Sequence, residues 1–172
     1  VGQLTTLHQV SASIARTLNL NQILDTVLQL LIVNLGFTRM FLMLRHLERD
    51  TAYVAQTAGV SPDIAEAARH LDVPIRNDGG LQADLLIHGK PLFILSLEAV
   101  ADRMQPPILE LARRAGVTSF VAVPLQSQNQ ILGYLAGDRG AQPCTDEDLH
   151  MLLTIASHVA AAIDNARAYS HL

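Results

Sequence analysis

The sequence predicts an α+β domain with antiparallel strands. Three observations predict it: helical apolar spacing at both ends, two β-hairpin patterns far apart in the chain, and an irregular stretch between them. The chain has 172 residues, 49% hydrophobic and 16% charged, which suffices for one domain that buries its own core without disulfides or a structural metal. No repeat, low-complexity tract or long linker divides residues 1–172, which are read as one domain.

Leu4, Leu7, Ser11, Ile14 and Leu18 share one helical face, and Ile23, Leu24, Val27, Leu28, Leu31 and Leu35 form a second series. Asn21 is placed to cap that second helix and Gly36 to stop it. Residues 38–45 are apolar on both faces in their middle, as a central strand covered on both sides must be. After a polar turn at Glu48-Arg49-Asp50, residues 51–57 pair back as a hairpin, and Gly59 ends them. Ser61-Pro62-Asp63 supplies a cap, a first-turn proline and an acid for a short helix over 64–70. Residues 73–75 fit an edge strand, since Pro74 has no N–H to give a ladder.

Asn77-Asp78-Gly79-Gly80 is a turn opening a short helix through Leu81, Leu85 and Leu86 to Gly89. Residues 92–95 form a short strand, and Pro106-Pro107 begins a helix that ends at Arg113-Arg114 before Gly116. Residues 119–125 and 131–138 make the second hairpin across 126–130. Thr145 and Asp148 form a capping box for the longest helix. Its seam of Leu149, Leu152, Ala156, Val159, Ile163 and Ala166 alternates three and four apart; one flank is expected on the sheet and another on a neighbouring helix.

Composition narrows the function. Twelve Lys plus Arg stand against 16 Asp plus Glu, scattered singly, so no broad electrostatic case exists for nucleic acid or an anionic membrane. One cysteine makes neither an intrachain disulfide nor a thiolate zinc cage, and a reducing, cytoplasmic setting is expected. The sequence holds no membrane-length apolar run, and its first residues show no basic stretch followed by an apolar run and cleavage site. The chain opens inside an amphipathic pattern and stops at 168–172 without a helix stop, so a fragment of a longer multidomain protein is expected.

The second hairpin, SFVAVPLQSQNQILGYLAGDR, the passage GGLQADLLIHGKPLFI and the terminal helix running into Ile163-Asp164-Asn165-Ala166-Arg167 come in that pattern's order in the GAF family of sensory domains, which the chain resembles over nearly its full length. The resemblance implies a PAS-related central antiparallel sheet of about five or six strands, the first, second and last helices on one face, and the irregular middle covering a ligand pocket on the other. A cover without regular packing suits closure around a small molecule. Such domains sit in phosphodiesterases, phytochromes, histidine kinases, nucleotide cyclases and transcription activators, joined to their neighbours by end helices.

Chemistry-bearing residues fit this frame poorly as catalysts. Cys144 precedes the terminal helix, and a plain loop role outweighs a nucleophile, redox sensor or bilin anchor. Bilin-binding relatives carry Cys-His before the Val-Pro-Leu strand, and that place falls near Pro107-Ile108 here. With no Trp, the chain also lacks furniture for a large conjugated ring. Relatives that reduce free methionine sulfoxide use several cysteines, and the Asn-Lys-Phe-Asp-Glu signature of the cyclic-nucleotide subgroup has no match. Among seven histidines, His150 and His158 are too far apart for ligands on adjacent turns. His70 and His88, beside the irregular middle, are the better haem or metal candidates, yet surface roles outweigh that reading; no metal ligand, catalytic residue or cofactor is assigned. Gly79-Gly80, Gly133 and Gly137 read as turn and strand glycines, not a phosphate loop.

The expectation is therefore a non-enzymatic regulatory domain. An unidentified small molecule would meet Phe41, Met43, Asp78, Gln82, His88, Ser96, Val121 and Val123. The end helices would form a homodimer through Leu4, Leu7, Ile14, Leu152, Val159 and Ile163, and act on a covalently attached kinase, cyclase or transcription-activating output domain. The alternatives are a structural dimerisation module with a vestigial pocket, and a haem or gas sensor.

Overall fold

Strands that are apolar on both faces demand a layer on each side of the sheet. The computed structural model describes residues 20–170, of which 168–170 in backbone only. Helix α1 (Leu20–Leu35) leads into β1 (Arg39–Arg45) and β2 (Thr51–Ala58). Then come α2 (Pro62–Arg69), β3 (Asp72–Pro74), α3 (Leu81–Leu86), β4 (Leu92–Ile94), a 3-10 helix (Glu98–Arg103) and α4 (Pro106–Ala115). The order closes with β5 (Phe120–Ser127), β6 (Gln130–Asp138) and α5 (Asp146–Ser170). All six strands join one antiparallel sheet, ordered β3-β2-β1-β6-β5-β4. The short strands β3 and β4 are its edges, and Pro74 ends β3 where a missing N–H costs the ladder little.

Period-two alternation divides the molecule. Met40, Leu42 and Leu44 of β1, with Val121, Val123 and Leu125 of β5, face the helices and are almost wholly buried. Leu24, Leu28 and Leu31 of α1, and Leu152, Ala156, Val159 and Ile163 of α5, pack on them. Each such leucine contributes about 2 kcal/mol by leaving water. Leu152, Val159 and Ile163 are therefore spent inside the chain's own core, which corrects their expected place in a dimer interface. Leu4, Leu7 and Ile14 lie outside the described residues.

One arginine fastens the helix layer. Arg139 donates from Nε to Asp148 Oδ2 at 2.8 Å and from its terminal nitrogens to the carbonyls of Leu35 at 2.8 Å and Gly36 at 3.0 Å. Its cation thus meets the negative end of α1, while Asp148 sits at the positive end of α5. Asp148 also completes the expected capping box: its Oδ2 accepts from Thr145 N at 2.9 Å, and its own N donates to Thr145 Oγ1 at 3.3 Å. Two local expectations change. Asn21 is already helical and so does not cap α1. The second hairpin turns tightly at Gln128 and Asn129, whose φ values of 51° and 66° supply the left-handed backbone that glycine usually provides.

Candidate functional site

The opposite face of the sheet carries the irregular middle of the chain. Phe41 and Met43 of β1, Ala122 of β5, and Tyr134 and Ala136 of β6 point this way because each is one residue out of phase with the helix-facing set. Above them lie Leu81, Gln82 and Leu85 of α3, then Met104, and Ile108 and Leu111 of α4. Between the two layers lies a partly open cavity of about 100 Å³ with an almost entirely apolar wall. Of its polar wall residues, Gln82, Tyr134, Gln105 and Asp138, the first two form a buried pair: Gln82 Nε2 donates to Tyr134 Oη at 2.8 Å and approaches Met43 Sδ at 3.3 Å. Burial pushes the Tyr134 phenol up to about 12, with the Gln82 contact opposing part of that rise. The tyrosine therefore stays a neutral hydroxyl.

At one end of the cavity, Asp138 is 1% exposed and fully engaged. Arg39 donates to it from Nε at 3.0 Å and Nη2 at 2.7 Å, and Gly140 N donates at 3.1 Å. Arg39 also donates to the carbonyls of Ala115 and Gly116, which closes the C-terminus of α4 onto the sheet. The cover itself is clasped by surface groups. Arg103 donates to Asp84 Oδ2 at 2.8 Å and to Gly79 O at 3.2 Å, and Arg113 to Glu98 Oε2 at 3.0 Å. Exposed pairs of this kind contribute little each, so the cover rests mainly on its own buried apolar set, Leu81, Leu85, Leu86 and Leu92 among it.

The expected ligand residues divide accordingly. Phe41, Met43 and Gln82 line the cavity together. Val121 and Val123 do not, because the phase of β5 turns them to the helices and gives the cavity Phe120 and Ala122 instead. Asp78, His88 and Ser96 are exposed and make local bonds: Asp78 Oδ1 accepts from Gly80 N, His88 pairs with Asn77 Oδ1, and Ser96 Oγ accepts from Ala99 N. His70 is likewise exposed beside Glu66. Among the described residues, no group of three His, Cys, Asp or Glu gathers to hold a metal. Cys144 is buried, and burial first, then the Asp148 charge, pushes its thiol up and away from the reactive thiolate.

A model of the GAF domain matches residues 17–164. The chain belongs to the GAF family. No curated protein matches it. Among solved structures it is similar to residues 122 to 287 of a methyl-accepting chemotaxis protein, at 18% identity and a TM-score of 0.74, covering 88% of this chain and 93% of that one. It is also similar to the GAF domain of a phosphoenolpyruvate-protein phosphotransferase from Coxiella burnetii, at 21% identity and a TM-score of 0.70 over 98% and 96% of the chains. A third is a GAF domain/HD domain protein from Geobacter sulfurreducens, at 15% identity and a TM-score of 0.73 over 89% and 97%. These likenesses concern the GAF fold. No helix among the described residues is long and apolar enough to cross a membrane.

Tyr134, Ala122, Met104 and Ile108 were not anticipated as cavity residues. Cross-strand register would have found Tyr134, the partner of Met43, but register is set by the folded sheet. The 3-10 helix that leads into Met104 has no periodic signal to read.

Proposed function

We propose that this GAF domain is a non-enzymatic sensory module whose small-molecule site is the cavity between the sheet and the cover, and which controls an output domain joined to its terminal helices. The observation that carries this reading is a partly open apolar cavity holding one buried polar pair, the usual make-up of a small-molecule site. Coupling has a short path. β1, β5 and β6 are one residue thick, so strands that touch a bound molecule also touch the helices. At Gly137, whose backbone borders the cavity, a Cβ would stand 2.6 Å from Met40 Sδ and 3.0 Å from Phe37 in the helix-facing core. Any ligand acts only through different affinity for two arrangements of these layers.

A small-molecule screen by thermal unfolding tests the reading. A compound that raises the melting temperature of the native chain is expected to lose its effect on Ile108→Trp, whose indole fills the cavity from the cover side. An unchanged shift in that variant places binding elsewhere.

A second reading, a structural dimerisation module, is favoured by α1. Leu30 and Val33 are 53% and 76% exposed on its outer side, two apolar side chains that the described residues leave uncovered. In this reading the dimer seam runs along α1 rather than the buried seam of α5, and the two readings are compatible.

A further inference from the structure

Resting on the cavity as the ligand site, we propose that it takes a small uncharged molecule, mainly apolar, with a single group that both donates and accepts a hydrogen bond, such as a hydroxyl or an amide. Gln82 is 93% buried and lines the cavity, and its Oε1 has no hydrogen-bond partner. A buried amide oxygen with no protein partner costs about 1–3 kcal/mol when left unpaired, so a ligand group that donates to it recovers that amount. Beside it, Tyr134 Oη accepts from Gln82 Nε2 and keeps its own proton available to donate. Rotating the Gln82 amide by half a turn only exchanges which amide atom is left over, and a group with both functions matches either orientation.

Charge on the ligand finds no answer here. The one ionic group at the cavity wall, Asp138, has its carboxylate taken up by Arg39 and Gly140 N. An unpaired ion buried among the remaining wall groups carries a large desolvation penalty. Size agrees: at about 100 Å³ the cavity approaches the apolar cavities, of about 150 Å³, that hold a single aromatic ring.

Phenol, toluene and benzoate separate the claims, because the first two are nearly the same shape and differ in one hydroxyl. In protein carrying carbon-13 methionine methyls, Met43 and Met104 report the cavity, while Met40 lies on the helix face and Met151 on α5. Phenol is expected to shift Met43 and Met104 first and to bind at least about tenfold tighter than toluene, with benzoate weakest. Gln82→Leu, checked for native circular dichroism, is expected to erase the preference while toluene still binds; Tyr134→Phe should reduce it. Equal affinities for phenol and toluene, or tighter binding of benzoate, overturn the ligand class and leave the cavity as a site. Failure of all three to move either methyl in native protein overturns both.

Discussion

Asp148 shows how one side chain serves two elements. It caps α5 through Thr145 and anchors Arg139, which in turn holds the last carbonyls of α1. The Arg139 guanidinium, more than burial opposes it, holds the Asp148 carboxyl below its ordinary value of 3.8. A carboxyl depressed in the folded state contributes stability that is present above the unfolded value and is lost as pH falls through the folded one. Asp148→Asn is therefore expected to lower unfolding free energy by about 1–2 kcal/mol at neutral pH. In urea titrations the gap from the native chain should narrow below about pH 4, where the unfolded carboxyl protonates. Tyr134 has the opposite pH behaviour. Its phenol, raised to about 12 by burial, keeps its proton more tightly when folded, so its contribution is complete below the ordinary value of 10 and is lost as pH rises through 12. Tyr134→Phe should remove a step near pH 12 from an ultraviolet absorbance titration.

Among the elements, the cover differs from the helix layer in carrying surface ties over its apolar cluster. The helix layer rests on the larger cluster, whereas the cover rests on a smaller one with Leu81, Leu85 and Leu86, over which Arg103 ties the 3-10 helix to α3 through a half-exposed pair. Arg103→Ala is expected to speed hydrogen exchange over residues 79–89 and 98–104, leaving β1, β5 and β6 unchanged; uniform acceleration would mean that the pair supports the whole domain. The same contrast explains what the sequence discloses. Caps at Ser61 and Thr145, the left-handed stop at Gly116 and the strand patterns were legible because each is local chemistry. The phase of β5 was not. FVAVPL is apolar at every position, so nothing in it tells Val121 from Ala122, and the pocket assignment slipped by one residue. On α5, an apolar seam of coiled-coil spacing reads alike whether its partner is a second copy or the chain's own sheet. Polar residues in the middle segment were equally ambiguous: Asp78, His88 and Ser96 serve the turns that contain them, and Gln82 alone of these four turned inward.

For the molecule as a whole, self-association and sensing make separate demands. If α1 forms the seam between two copies, Leu30→Glu with Val33→Glu, both exposed in the single chain, should turn a sedimenting dimer into monomer and make the melting temperature independent of protein concentration. Unaltered sedimentation would remove α1 from the interface. Sensing requires that the two faces of the sheet be coupled through the strands they share. Hydrogen exchange with and without a compound that stabilises native protein but not Ile108→Trp measures this most directly. Coupled faces are expected to show altered protection in α1 and α5 as well as in the cover. Protection altered only over residues 79–115, with both helices unmoved, would contradict it.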